Sequence, residues 1–330
     1  MNTMKWLIKR EYWEHKGGFF WAPVVVGAIM TFFIAATMFT AVAMGTRHGF
    51  SSTMVNGTTV STVTDLSTAM TPEQQREGAI AVAAGYMGVS APLFLVLPFV
   101  VFFFCLGALF DERKDRSVLF WKSLPISDGD TVLSKVAIGL IVAPLITLAV
   151  ATLMSVLVLL LGCIAAAMSG LHMSGQIFST PDLYLAPLQI AAMLPVYILW
   201  ALPTVGWLMM VSAWARTKPF LWAVGVPLLT GSLLTWFNAM FNFGWNIGWF
   251  WQHIVMRGLL SVIPGMWFVH HGIPNGGDIG AGIHQNSDNL GLVLSQSWRV
   301  LATPDAWIGI AAGAAMIYVA IRLRRWRDEG

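Results

Sequence analysis

Six stretches of this chain are almost unbroken runs of apolar residues, at about 20–44, 87–110, 136–163, 187–213, 219–241 and 306–321, with the polar residues gathered between them. The first five exceed the roughly 20 residues that an α-helix, rising 1.5 Å per residue, needs to cross about 30 Å of hydrocarbon. The sixth is shorter. It reaches across with Pro304 and Asp305 at one mouth and a snorkelling Arg322 at the other. None of the six contains Asp, Glu, Lys or Arg. The runs are continuous rather than alternating, which disfavours an outer-membrane barrel. The pattern predicts an all-α polytopic membrane protein with six transmembrane helices and a single transmembrane domain over residues 1–330.

The intervening segments differ in kind. Residues 1–18 place Met4, Ile8 and Tyr12 on one helical stripe, with Trp6 and Trp13 on another edge and Lys5, Lys9 and Lys16 around them. An interfacial helix with snorkelling lysines fits this pattern, and so does a plain topology-setting anchor. The apolar run that follows is too long for the 7–15-residue core of a signal peptide, so a retained helix is expected. Residues 45–86 are rich in Thr, Ser and Gly and read as a solvated loop. Thr71-Pro72-Glu73 opens a short helix toward the second span, with Pro at its first position. Residues 242–303 are the odd piece. Their apolar part, 249–269, is interrupted by Gln252, His253, Arg257 and Pro264. It is a poor span and reads as a re-entrant or interfacial segment before the last helix. Prolines inside the spans (Pro92, Pro98, Pro144, Pro195, Pro203, Pro227) fit either bundle packing or hinges. Gly309 and Gly313 form a GxxxG that permits close helix contact.

Composition strengthens this picture. Of 330 residues, 57% are hydrophobic and 11% charged, with mean hydropathy +0.70. Soluble domains carry roughly 25% charged residues, so water is a poor solvent for this surface and lipid a good one. The net charge of +3 points to membrane topology rather than to nucleic acid. With both termini inside, the inner segments hold Lys5, Lys9, Arg10 and Lys16, then Arg113, Lys114, Arg116, Lys122 and Lys135, then Arg216 and Lys218, then Arg322, Arg324, Arg325 and Arg327. Only Arg47, Arg76, Arg257 and Arg299 fall outside. The positive-inside rule therefore predicts an even number of spans and cytoplasmic termini, and the cell (inner) membrane is the expected location. Cys105 and Cys163 lie in apolar runs without a CxxC or CxxH context, so neither a disulfide nor a metal framework is expected.

Motifs for chemistry are missing. There is no GxxxxGK[ST] phosphate-binding loop, no HExxH and no GxSxG. The spans lack the acids and bases on which ion-coupled carriers and pumps depend. His270, His271 and His284, with Asp278 and Asp288 nearby, match no standard metal spacing, and no metal or cofactor is expected in this chain. Thr37 and Thr40 in the first run, and Asn238 and Asn242 at the end of the fifth, either line a substrate path or satisfy backbone groups inside the bundle.

The most informative stretch runs from Asp111 to Ser127 and on to Lys135. Dense mixed charge at a membrane exit leads into Val118, Trp121 and Leu124, at helical spacing, before Pro125 ends the piece. Ser127 then offers an N-cap, with Asp130 three residues on. A short amphipathic helix presented between two spans can carry a push from a soluble partner into the bundle. An interfacial loop without a partner has the same pattern. Glu112-Arg113, Pro125-Ile126-Ser127 and Lys135 resemble the segment between the second and third spans of ABC-2-type transporter permeases, although Arg116 and Ser117 stand where that family usually has Gly and Thr. The layout of basic N-terminal helix, six spans and outer segment before the last is similar as well. The resemblance implies an exporter subunit without its own ATPase, coupled through residues 111–135 (Glu112, Arg113, Ser117, Trp121, Leu124, Pro125 and Ser127). It implies a separate ABC ATP-binding subunit carrying ATP and magnesium, and a second permease copy or paralogue in the bilayer. Against it stand a membrane-embedded enzyme using the 242–303 segment and a non-transporting sensor or assembly protein.

Overall fold

A computed structural model describes residues 3–48, 53–55, 58–60, 71–115, 126–168, 174–271 and 289–327. Helix α1 (Thr3–Glu14) precedes α2 (Ala22–His48). A small antiparallel hairpin, β1 (Thr53–Val55) with β2 (Thr58–Val60), pairs Thr53 with Val60. Then come α3 (Pro72–Gly85), α4 (Ala91–Gly107), α5 (Phe110–Lys114), α6 (Asp128–Ala137), α7 (Ala143–Met168), α8 (Ser174–Ser179) and α9 (Asp182–Trp214). The chain continues through α10 (Val226–Phe241), α11 (Ile247–Phe250), α12 (Arg257–Leu260), α13 (Met266–His271), α14 (Asn289–Val300) and α15 (Pro304–Arg327).

Among the described residues, six helical stretches are long and apolar enough to cross a membrane: Gly17–Met44, Pro72–Lys114, Asp128–Met168, Asp182–Trp214, Leu221–Phe241 and Pro304–Trp326. The protein is a multi-pass, membrane-embedded helical bundle. Phe32, Phe33, Phe99, Leu153, Leu229 and Ile308 point outward from it, as lipid permits and water does not. Two helices start ahead of the apolar stretches at capped ends. Thr71 accepts from the Gln74 backbone while the Gln74 side chain accepts from Thr71 N–H, a complete capping box. Ser127 Oγ accepts from Asp130 N–H at 3.0 Å and starts α6.

Proline shapes the spans through the carbonyl it leaves without a donor, four residues earlier. Five-residue π-helical turns at Gly17–Trp21, Ile138–Val142 and Leu221–Gly225 each end just before Pro23, Pro144 and Pro227. The widened turn accommodates the ring. Neighbouring helices then supply donors. The Trp207 indole donates to the Ala223 carbonyl, freed by Pro227, at 2.9 Å. The Tyr86 hydroxyl donates to the Leu183 carbonyl, freed by Pro187, at 2.9 Å. At these two sites proline is part of the packing.

The core lies between α9 and its neighbours, around Val101, Cys105, Val205, Leu208 and Met209. Helices α9 and α15 cross at glycine. A Cβ on Gly206 would stand 2.5 Å from the Gly313 carbonyl oxygen, and one on Gly313 would stand 2.6 Å from the Leu202 carbonyl. Only hydrogen fits on either side, so Gly313 of the GxxxG sets this helix pair at backbone contact.

Candidate functional site

Two clusters of polar groups sit at opposite ends of the bundle. The first gathers where the second span ends and the third begins. Lys135 Nζ stands 2.8 Å from Glu11 Oε2 and 3.0 Å from Glu112 Oε1. Arg324 reaches Glu112 Oε2 at 2.7 Å and Asp128 Oδ1 at 3.2 Å. Arg10 closes the group at 3.3 Å from Glu11. Glu11 is 0% exposed and Lys135 2%. Lys135 is therefore buried in protein. It is the centre of a buried network of three cations (Arg10, Lys135, Arg324) and three anions (Glu11, Glu112, Asp128). Arg113 turns the other way and donates to the carbonyls of Ser212 and Ala215 at the end of α9. Ser212 Oγ in return accepts from the backbone N–H groups of Leu109 and Phe110. Glu112 and Arg113 thus join α1, α6, α9 and α15 at one point. Ser127 starts α6 beside them. Ser117, Trp121, Leu124 and Pro125 lie outside the described residues.

The expected path residues have local roles. Thr37 donates to the Ile34 carbonyl and Thr40 to those of Ala36 and Thr37, all within their own helix. Asn238 Oδ1 accepts from Trp245 N–H at 3.0 Å. Asn242 takes the left-handed conformation (φ 48°) that ends α10. Among the described residues no hydrogen bond links the two threonines to the two asparagines.

The second cluster was hidden from sequence reasoning because its members come from separate elements. After α10 the chain folds back against α9 and α15. It descends through a π-helical turn at Trp251–Met256 and α12, turns at 261–265 with Gly265 at φ +82°, and returns along α13. Thr204 in α9 holds the turn: its hydroxyl donates to the Arg257 carbonyl at 3.0 Å and accepts from Ser261 N–H at 3.1 Å. The Tyr197 hydroxyl donates to the Val262 carbonyl. Arg257 is carried into the bundle at 6% exposure. Its guanidinium lies 4.3 Å from the Trp200 ring and donates to the Ala306 carbonyl. Gly309, the other glycine of the GxxxG, makes room: a Cβ there would meet the guanidinium at 2.2 Å. Among the described residues no carboxylate pairs with Arg257 within 4 Å, and its Nε has no hydrogen-bond partner. The absence of charge from the six apolar runs therefore does not extend to the bundle interior.

A cavity of about 280 Å³ opens beside this cation, lined by Trp200, Trp251, Gln252, Met256, Arg257 and His270 among others. His270 shares its ring with a further group. His253 and His270 both face Asp305 Oδ2, at 3.3 and 3.5 Å. Their imidazoles sit edge to face, 4.7 Å apart. This trio differs from the histidines that adjacency in sequence suggests. His284, Asp278 and Asp288 lie outside the described residues. Two nitrogens and a carboxylate in this arrangement are chemically able to hold a divalent cation or to relay a proton.

No protein-family model, curated protein or solved structure matches this chain.

Proposed function

We propose that the chain is the permease subunit of an ATP-driven exporter of the ABC-2 type, lying in the cell (inner) membrane with both termini cytoplasmic. In this reading a separate ABC subunit binds ATP and magnesium and docks on residues 111–135, and a second copy or paralogue of the permease completes the passage. The observation that carries it is the junction at Glu112 and Arg113. The end of the second span is bonded there to α1, to the start of the third span and to the ends of the fourth and sixth. A displacement of the adjoining 116–125 segment is delivered to all of them at once, because breaking any one buried ion pair costs several kcal/mol (about 3–5). Leading helix α1 belongs to this junction through Glu11, as an interfacial element at the inner face.

The 247–271 segment is the re-entrant piece. Thr204, which holds its turn, lies about 15 Å of helix from Trp214 at the charged end of α9, near half of a 30 Å hydrocarbon layer. Irregular backbone at that depth is tolerated where it is buried in protein. Arg257 and its cavity supply the polar feature of an otherwise apolar passage. The first and fifth spans bury least within the chain and leave faces for lipid and for the second permease.

Mild-detergent purification of the chain from its native membrane, followed by mass spectrometry, tests the reading. A near-stoichiometric soluble subunit with a phosphate-binding loop is expected. In the reconstituted complex, Leu124→Asp is expected to leave insertion intact and to uncouple ATP hydrolysis from transport. Reproducible absence of such a subunit from the intact, folded chain overturns the transporter reading. The second reading, a membrane-embedded enzyme, then takes its place. One observation favours it: the His253–His270–Asp305 cluster beside the Arg257 cavity.

A further inference from the structure

We propose that His253, His270 and Asp305 form a binding site for one divalent transition-metal ion of the Zn²⁺ class, at the end of the bundle opposite the ionic network. The inference is independent of the transporter reading.

Three features carry it. The first is spacing. A charge-assisted hydrogen bond between imidazolium and carboxylate closes to about 2.7–2.9 Å. A tetrahedral ion with bonds of about 2.0–2.1 Å holds neighbouring donor atoms roughly 3.3–3.4 Å apart. Asp305 Oδ2 stands 3.3 Å from His253 Nε2 and 3.5 Å from His270 Nε2, and the three donor atoms all lie within 4.8 Å of one another. Both nitrogens converge on the same oxygen, and these two separations match neighbouring donors of one ion.

The second is the tautomer of His253. Its Nδ1 faces the Trp249 carbonyl at 3.1 Å. A carbonyl only accepts, so Nδ1 carries the hydrogen, and in neutral imidazole Nε2 is then a bare lone pair. A lone pair aimed at a carboxylate oxygen is repulsive unless a cation lies between them. A backbone carbonyl behind the ring is the usual outer support of a metal-bound histidine. The alternative is protonation. Protonating His253 adds a positive charge beside Asp305, within electrostatic reach of Arg257, whereas an ion between ring and carboxylate uses the His253 lone pair as it stands.

The third is rigidity. Trp249 stacks on His253 at 5.0 Å and 15°, and Trp200 meets His270 edge-on at 5.5 Å. Gln252 Nε2 donates to the His270 carbonyl and ties the descending arm to the returning one. Asp305 lies in the first turn of α15. The donors therefore arrive on three elements whose orientation is already set. Two nitrogens and one carboxylate oxygen suit Zn²⁺, Fe²⁺ and their neighbours better than the all-oxygen preferences of Ca²⁺ or Mg²⁺. Three protein ligands leave a fourth position for water or hydroxide. A bound ion pins both arms of the 247–271 segment to the start of the last span.

The test uses the full chain, purified in detergent through a tag without histidine, stripped with chelator and titrated with Zn²⁺ against a chromogenic competitor. The expected result is one Zn²⁺ per chain, with affinity weakened at least tenfold in His253→Ala, His270→Ala and Asp305→Asn, each checked by size-exclusion profile. Co²⁺ substitution provides a second reading on the unaltered protein, with the intense visible bands of a tetrahedral site expected. Zn²⁺ retention no greater than in buffer, or binding unchanged in the three variants, overturns the proposal. If the variants fail to fold, the Co²⁺ spectrum decides: its bands support the site and their absence overturns it.

Discussion

The two ends of the bundle handle buried charge in opposite ways. At one end Arg10, Lys135 and Arg324 close on Glu11, Glu112 and Asp128, and every charge meets its opposite within 3.3 Å. At the other, Arg257 is buried against Trp200 and a backbone carbonyl with no carboxylate in contact among the described residues, and two histidines share one aspartate oxygen. A charge-paired network is a device for holding helices in register, since each charge meets its opposite. A cluster whose buried cation has no carboxylate in contact keeps capacity for a ligand and is where chemistry or cargo contact is to be sought. The difference separates a mechanical end from a chemical end of the same molecule.

Breaking the charge-paired end is expected to have the largest effect. Lys135→Met removes the cation that Glu11 and Glu112 share and leaves them to Arg10 and Arg324, at a cost of up to about 3–5 kcal/mol. Thermal unfolding of the detergent-purified protein is expected to show a large fall in midpoint. The double variant Glu11→Gln with Lys135→Met is expected to recover part of it, because removing both charges avoids the uncompensated state. A double variant no better than the single one contradicts the network as drawn.

Next in size is the glycine crossing that both ends depend on. Gly313→Leu drives a side chain into the Leu202 carbonyl and is expected to cost about 1–3 kcal/mol or more through overpacking. Gly313→Ala is expected to be milder, and both are read in the same unfolding assay.

The chemical end is expected to respond more locally. Thr204→Val removes the hydroxyl that bridges Arg257 and Ser261; the Arg257 carbonyl keeps the Ser261 hydroxyl as donor, and the buried Ser261 N–H loses its acceptor at about 1–3 kcal/mol. Hydrogen exchange is expected to rise over 251–266 while α6 and the network stay protected. Exchange that rises equally at both ends contradicts the separation between them.

The smallest effect is expected at Ser127→Ala. Loss of the cap on α6 costs about 1 kcal/mol. It is expected to fray Asp128–Thr131 in hydrogen exchange and leave the 247–271 segment unchanged.

Much of the architecture was legible in the chain. Six apolar runs without charge dictate six helices, because an unpaired backbone in hydrocarbon has no other partner. Thr71 and Ser127 announced their helix starts, since capping is a local interaction between a hydroxyl and an N–H three residues on. The positions of Glu112, Arg113 and Lys135 were also singled out, but not what they meet. Glu11 lies 124 residues from Lys135 and Arg324 lies 212 from Glu112, and no periodicity relates positions so far apart. The Gly309–Gly313 pair was readable as a close-contact motif, yet only the packed helices show that one glycine admits a backbone and the other a guanidinium.

The sequence by itself therefore determined that this protein is membrane-embedded, that six helices are long and apolar enough to span, and where the Thr71 and Ser127 caps lie, because these follow from local hydrophobicity and local hydrogen bonding. Only the tertiary structure decided which charges are buried and which nitrogens converge. Lys135 reads as one of the inner-segment cations and is a core ion. His253, His270 and Asp305 read as three unrelated residues and share one oxygen. Burial and convergence are properties of helices folded against one another, and a linear pattern of polar and apolar residues does not contain them.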